Sequence, residues 1–449
     1  MTDTPTSTPT RTPGRERLTP QARRSVLASF VGSTFEWYDF GLYGTTAALV
    51  FNKVFFPTAD PAVGTLLALV TTAVGYFTRP IGGIIFGHFG DRVGRKRLLV
   101  ITMLGMGIPT LIIGVIPSYA TIGVAAPILL LLMRLLQGIG LGGEYAGAAL
   151  ATIESVPSAR RGFFGSIPQL GNPVGGVLGS LLVLGCTFFA GDEVFAAWLW
   201  RVPFLLSAIL LAYALVVRVR LVETGDFRKL AEEKKVVTAP LVAVVRHHWA
   251  PLLLGMGARA ADAITGNVAG GVTIAYIVTY LKQTDSVSLV VNIVPSIIAI
   301  PLMLGVGALS DRSGRRRTYV IALLILAVTV FPMFALLDTK IVFLMIVGIT
   351  IFRLSNSAQF AVQSAFLADI FPTEVRYTAI SLVYQVTSII GGLTPPVALA
   401  ILIATGGSPW LLCIVVAVVV ALSALCAGLM RSRVRPETQQ IAGPIEGLA

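Results

Sequence analysis

The sequence predicts an all-α membrane protein with twelve transmembrane helices in two six-helix halves. Three observations carry that expectation: scarce charge, apolar runs that recur along the whole chain, and motifs that return in the second half in the same order. Of 449 residues, 55% are hydrophobic and 12% charged, and the mean hydropathy is +0.83. Soluble domains carry charge on about a quarter of their residues, so that class is excluded. A membrane-crossing helix needs about 20 mostly apolar residues, because lipid offers no hydrogen-bond partner to an unsatisfied backbone.

Apolar runs between polar breaks place spans near 25–49, 62–88, 98–117, 121–149, 163–190, 197–219, 251–281, 288–309, 318–337, 341–367, 379–404 and 409–430. The longest polar connection runs from Arg218 to Arg246 and contains the mixed-charge run Glu223 to Lys235. The predicted organisation is a tail at 1–24, a bundle at 25–219, a central loop at 220–250, a second bundle at 251–430 and a tail at 431–449.

The halves are related by repetition. Gly87-His-Phe-Gly90-Asp91-Arg-Val-Gly94-Arg95-Lys-Arg97 returns as Gly307-Ala-Leu-Ser310-Asp311-Arg-Ser-Gly314-Arg315-Arg-Arg317, each copy after the second span of its half. Glu154, Pro157 and Arg161 return as Asp369, Pro372 and Arg376, and Arg134 returns as Arg353. Two like-oriented half-size units place a solute site near the midplane between them, reached alternately from each side as one half rocks against the other.

There are 34 Lys and Arg against 22 Asp and Glu, a net charge of +12. In a soluble protein that surplus would point toward nucleic acid. Here most basic residues fall in alternate connections, which by the positive-inside rule sets both termini in the cytoplasm and implies no nucleic-acid partner. Residues 1–20 are rich in Thr and Pro and lack the apolar core of a secretion signal. Cys186, Cys413 and Cys426 sit in apolar runs as packing residues, and His88, His247 and His248 sit at the loop ends of spans. No metal site, cofactor or catalytic triad is expected from these, which argues against an enzyme.

Several segments resemble the major facilitator superfamily, and within it the metabolite:proton symporter family that carries 2-oxoglutarate, shikimate, citrate, or proline and betaine. They are Glu36-Trp-Tyr-Asp39-Phe-Gly, Arg79-Pro-Ile-Gly-Gly83, the Gly87 to Arg97 loop, Arg134-Leu-Leu-Gln137-Gly138 with Gly142-Gly-Glu144-Tyr145, Trp200-Arg201-Val-Pro203-Phe204, and Phe371-Pro372 to Arg376-Tyr377. The resemblance covers essentially all spans. It implies a secondary active transporter of the cell membrane, with protons and a small molecule as partners and a pathway lined by spans one, four, seven and ten. A monomer is sufficient for that pathway. The second basic loop has Ser310 where the first has Gly90. The chain ends about 19 residues after its last span, which leaves no room for the long coiled coil of osmosensing betaine carriers. An organic acid is the favoured substrate class, and a zwitterion such as proline or betaine the alternative.

Ionisable groups within spans cost about 2.5–3.5 kcal/mol on insertion scales and so should face the interior with a partner. Glu36, Asp39 and Tyr43 share one face of the first span, and a carboxylate in a poorly hydrated cavity is placed to exchange protons as the cavity changes sides. Glu36, Asp39, Arg134 and Glu144 are the candidates for proton coupling, Arg134 because it matches the superfamily's fourth-span arginine. Arg134, Arg259 and Arg353 are candidates for holding an anion through a planar guanidinium, with Tyr43, Gln137, Asn356 and Gln363 beside them. The alternative for these arginines is neutralisation of Glu36, Asp39, Glu144 and Asp262. Gly87, Gly90, Asp91, Gly94 and Arg95, with Asp311, Gly314 and Arg315, read as gating loops, in which Asp91 can meet a helix N-terminus or an arginine of the other half. Glu154 with Arg161, and Asp369 with Arg376, are expected as ion pairs beside them.

Overall fold

Helix is the only regular structure among the described residues of the computed structural model, which are 18–57, 61–93, 95–219 and 240–430. Twelve long helices follow the predicted spans closely: α1 (Pro20–Thr46), α2 (Pro61–Val93), α3 (Arg95–Val115), α4 (Ala125–Ile153), α5 (Ser158–Gly191) and α6 (Arg201–Val219), then α7 (Trp249–Thr279), α8 (Asp285–Ser313), α9 (Arg315–Leu337), α10 (Val342–Ala368), α11 (Arg376–Ala404) and α12 (Trp410–Leu429). Ten are long and apolar enough to cross a membrane by composition alone. The other two are α1, which is rich in Ser, Thr and Gly and carries Glu36 and Asp39, and α2, part of which lies outside the described side chains. The tails at 1–17 and 431–449 and the loop at 220–239 lie outside the described residues. A short helix, Pro240–His247, packs against α2, α7 and α11.

Local chemistry sets the helix ends. Pro20 opens α1, where its missing N–H costs nothing, and the Thr19 hydroxyl accepts from the Ala22 N–H at 3.1 Å. The turn between α8 and α9 is a single residue, Gly314, at φ 89°, a left-handed conformation that a side chain would strain.

Glycine rows bring helices together. Along α5, Gly171, Gly175 and Gly179 lie directly against the α1 backbone at Ser33–Thr34, Thr34–Tyr38 and Tyr38–Leu42, so that any Cβ at the first two would collide with main chain. Such small-residue seams allow the close van der Waals packing that holds helices together in lipid. Leu, Ile, Val and Phe side chains such as Ile101, Val115, Ile209, Val328, Phe343 and Leu425 project outward, as expected of a lipid-facing surface.

The halves meet where α2 packs on α11 and where α5 packs on α8. Inside each half, α1 and α7 interrupt their α-helical ladders at matching places with π turns, Ala47–Phe51 and Val268–Val272. A π turn inserts a residue and leaves carbonyls without their regular donors. In α7 the Val268 carbonyl accepts from the Thr273 hydroxyl at 2.6 Å, and the Ala269 carbonyl from Arg353 Nη2 at 2.9 Å.

Candidate functional site

The first-half site is a chain of hydrogen bonds rather than a direct ion pair. Asp39 on α1 is fully buried, and its Oδ1 accepts from the Thr110 hydroxyl of α3 at 2.7 Å. The Gln137 amide nitrogen donates to both Asp39 oxygens at 3.1 and 3.2 Å, while the Gln137 carbonyl oxygen accepts from Arg134 Nη1 at 3.0 Å. The Arg134 guanidinium lies 3.5 Å from the centre of the Tyr43 ring, and the Tyr43 hydroxyl shares a 2.6 Å hydrogen bond with Thr71. Among the described residues, Arg134 Nε and Nη2 have no hydrogen-bond partner. Four of the predicted residues are thereby brought together, and all four are sealed from solvent.

The remaining candidates scatter. Glu144 lies away from this cluster, paired with Arg218 of α6 and accepting from the Thr102 hydroxyl at 3.1 Å, both carboxylate and guanidinium being buried. Arg218 Nη1 also donates to the Leu99 carbonyl at 2.7 Å, so this pair ties α3, α4 and α6. Arg353 spends its Nη2 on the Ala269 carbonyl and on Asn292 of α8 at 3.2 Å. Asn356 donates to Thr265 at 2.5 Å, and Gln363 accepts from the Tyr145 hydroxyl at 3.2 Å. The polar faces of the fourth and tenth spans therefore bond in different places: Arg353 bonds inside the second half, whereas Gln363 meets Tyr145 across the contact between the halves.

Glu36 is 3% exposed and, among the described residues, has no hydrogen bond or ion pair. Arg79, Arg259 and Arg218 lie within electrostatic reach of it. Arg79 of α2 stacks over Phe40 at 4.1 Å and Tyr76 at 4.7 Å. Arg259 of α7 stacks over Tyr384 of α11 at 3.5 Å, donates to the Thr387 hydroxyl, and faces Asp262 at 3.5 Å. Among the described residues, neither guanidinium Nε has a hydrogen-bond partner. Trp37 meets Phe360 of the other half edge-on at 6.2 Å. Charged groups and rings from α1, α2, α7 and α11 thus converge between the halves. Arg79 was visible as an ionisable residue in an apolar run, whereas Thr110, Tyr384 and Gln359 gave no sequence signal, since neutral polar residues are common in such spans.

At the end of the bundle carrying the basic loops, the halves are locked together. Asp311 accepts from the Gly162 and Phe163 backbone N–H groups at 2.7 and 2.9 Å, at the start of a helical segment of the other half, where the dipole favours an anion. Arg315 pairs with Asp369 at 2.6 Å and with Asp311 at 3.3 Å, and donates to the Ser158 carbonyl at 2.6 Å. Arg376 pairs with Glu154 across the interface at 3.6 Å. The expected partnering of Asp369 with Arg376 is replaced by these pairs, because docking of the halves sets Arg376 against Glu154. Above the charges, Tyr145 stacks on Tyr384 at 3.5 Å, Tyr377 donates to the Gly143 carbonyl at 2.7 Å, and Gln385 donates to the Gly142 carbonyl at 2.9 Å. Gly94 lies outside the described residues, as do the side chains of Asp91 and Arg95 and the surroundings of Gly87 and Gly90.

A family model described as Sugar (and other) transporter matches residues 25–235, and the Major Facilitator Superfamily model matches residues 260–446. The shikimate transporter of Escherichia coli (strain K12) is 37% identical over 425 residues, covering 92% of this chain and 96% of that one. The chain belongs to the major facilitator superfamily. It is a multi-pass transporter of the cell membrane and not an enzyme. The inner membrane metabolite transport protein YhjE of the same organism is 40% identical, covering 84% of this chain and 87% of that one. The glycine betaine/proline/ectoine/pipecolic acid transporter OusA of Dickeya dadantii (strain 3937) is 36% identical, covering 84% and 77%. Among solved structures, a D-xylose-proton symporter shares the fold at a TM-score of 0.70 and 16% identity, covering 91% of this chain and 98% of that one.

Proposed function

We propose that this superfamily transporter couples uptake of a small organic carboxylate to protons by alternating access, with both termini and the basic loops on the cytoplasmic side. The observation that carries the reading is the pairing of two kinds of site. One is a sealed Asp39–Gln137–Arg134 chain suited to holding a proton. The other is the pair of guanidinium groups, Arg79 and Arg259, each backed by aromatic rings where the halves meet. A carboxylate is the ligand that a planar fork matches, and stacking on rings holds the fork in place. The likeness to a shikimate transporter supports the substrate class.

A second reading, transport of a zwitterion such as proline or betaine, is favoured by the presence of Glu36 and Asp262 beside Trp37 and Tyr384, since carboxylates and ring faces together suit a quaternary ammonium. Uptake of labelled shikimate and labelled glycine betaine into proteoliposomes separates the two. The main reading expects shikimate accumulation that follows an inward proton gradient and falls in Asp39→Asn. Full gradient-driven accumulation by that variant would refute the coupling assignment, and competition by betaine but by no carboxylate would move the substrate to the second class.

A further inference from the structure

The two halves repeat one hydrogen bond and then diverge. In the first half Gln137 of α4 donates to Asp39 of α1; in the second, Gln359 of α10 donates to Asp262 of α7 at 3.1 Å. Asp39 is closed off by Thr110, but Asp262 is 11% exposed and its second oxygen faces Arg259 across 3.5 Å. Charge-assisted hydrogen bonds of this kind are about 2.7–2.9 Å, so the contact is loose. Arg259 is held independently of Asp262, by the Thr387 hydroxyl on one side and the Tyr384 ring beneath it.

We propose that Asp262 is a second coupling carboxylate, displaced from Arg259 by the carboxylate of the substrate and neutralised by a proton as it leaves. The inference rests on the carboxylate reading above. The substrate carboxylate takes the Arg259 Nη2 edge that Asp262 leaves. Asp262 stays on the Gln359 amide and accepts a proton from hydronium in the open cavity, leaving water. The site charge is unchanged, with one cation facing one anion before and after, so substrate entry and proton uptake become one event. Release of substrate reverses both steps. The titratable and charged groups around Asp262 are Arg259 on its own helix, Tyr384 on α11, Tyr319 on α9 and Tyr145 on α4, while α12 presents Ser423 and Cys426 to α7 at Ala261 and Gly257. Arg259 is thus the cation that pairs with it.

The test uses the full chain in nanodiscs in weak buffer, with labelled shikimate as the probe, equilibrium retention of the label to report binding and a pH-indicating dye to report protons. An Asp39→Asn background removes the first-half carboxylate. The expected result is proton uptake on shikimate addition in that background, lost when Asp262→Asn is added while binding persists, and restored by Asp262→Glu. Undiminished proton uptake in the Asp262→Asn protein that binds shikimate overturns the proposal alone. Absence of shikimate binding in any of the proteins, with betaine binding retained, overturns it together with the carboxylate reading. Should Asp262→Asn fail to fold, Gln359→Met provides the second variant, and an unaltered pH dependence of proton uptake in it overturns the proposal.

Discussion

Gln137 links Asp39 to Arg134 by turning its two ends to opposite charges, its amide nitrogen to the carboxylate and its carbonyl oxygen to the guanidinium. Neutral and of fixed geometry, it would under the proposed coupling carry a proton change at Asp39 to Arg134 without the two charges meeting. Hydrogen bonds to charged groups contribute about 1.5–3 kcal/mol, so Gln137→Met should slow gradient-driven accumulation roughly tenfold or more. Counterflow exchange at equal pH should be affected far less. Equal losses in both assays would mean that Gln137 serves the fold and not the coupling.

Glu144 and Arg218 form a buried pair that the first-half fold depends on. Removing one partner of such a pair costs about 3–5 kcal/mol, because the other charge is left buried alone, whereas replacing both by apolar residues is close to neutral. Glu144→Leu should therefore lower the thermal unfolding midpoint of the purified protein sharply, and Glu144→Leu with Arg218→Leu should recover most of it. Gly32→Ala should share the single-mutant defect, since its new Cβ would lie on the Arg218 guanidinium.

Asp311 anchors the lock at the basic end by accepting two backbone N–H groups of the other half. Asp311→Asn keeps the shape but leaves one acceptor oxygen for two N–H groups, so one bond is lost and the other weakened, and at about 1.4 kcal/mol per decade the population open at that end should rise about tenfold or more. A cysteine replacing Ser364, which donates to the Gly165 carbonyl across the interface at 3.2 Å, reports the change. Its labelling by a maleimide applied from the basic side should accelerate in the Asp311→Asn background, and an unchanged rate would assign the lock elsewhere.

Arg259 and Arg353 occupy the same kind of sequence position, but the structure gives them different work. Arg259→Lys keeps the charge and loses the fork, which should raise the apparent KM for a carboxylate about tenfold. Arg353→Gln removes a donor from the π-turn carbonyl and should lower the unfolding midpoint while leaving KM within about twofold, as a lost structural hydrogen bond costs about 1 kcal/mol. A larger KM effect at Arg353 than at Arg259 would reverse this assignment.

Much of the architecture was legible because it is written in one dimension. Span number, the division into halves and the paired loops follow from runs and repeats. Asp39 and Arg134 were legible as inward-facing because lipid could not host their charges, and Gln137 shared the Arg134 face by helical spacing, while only the family resemblance set spans one and four on a common pathway. Less was legible of the pairings. Glu144 shares a helix face with Arg134 in sequence, yet its partner is Arg218, at the far end of a different apolar run. Arg376 was expected to meet Asp369 because they lie in one loop, and it meets Glu154 of the other half.

The sequence by itself determined that this chain crosses a membrane in two repeated six-helix units, and that charges inside its spans such as Asp39 and Arg134 are buried, although it set the buried Arg218 at the start of a polar loop. Tertiary structure alone decided what each charge faces. Periodicity fixes a residue's angle about its own helix axis, but a contact depends on the angles of two helices, on how the two halves dock, and on irregular turns. The α7 π turn at Val268–Val272 is such a case: it frees the Ala269 carbonyl that captures Arg353, so the second-half counterpart of Arg134 bonds main chain instead of joining a carboxylate network.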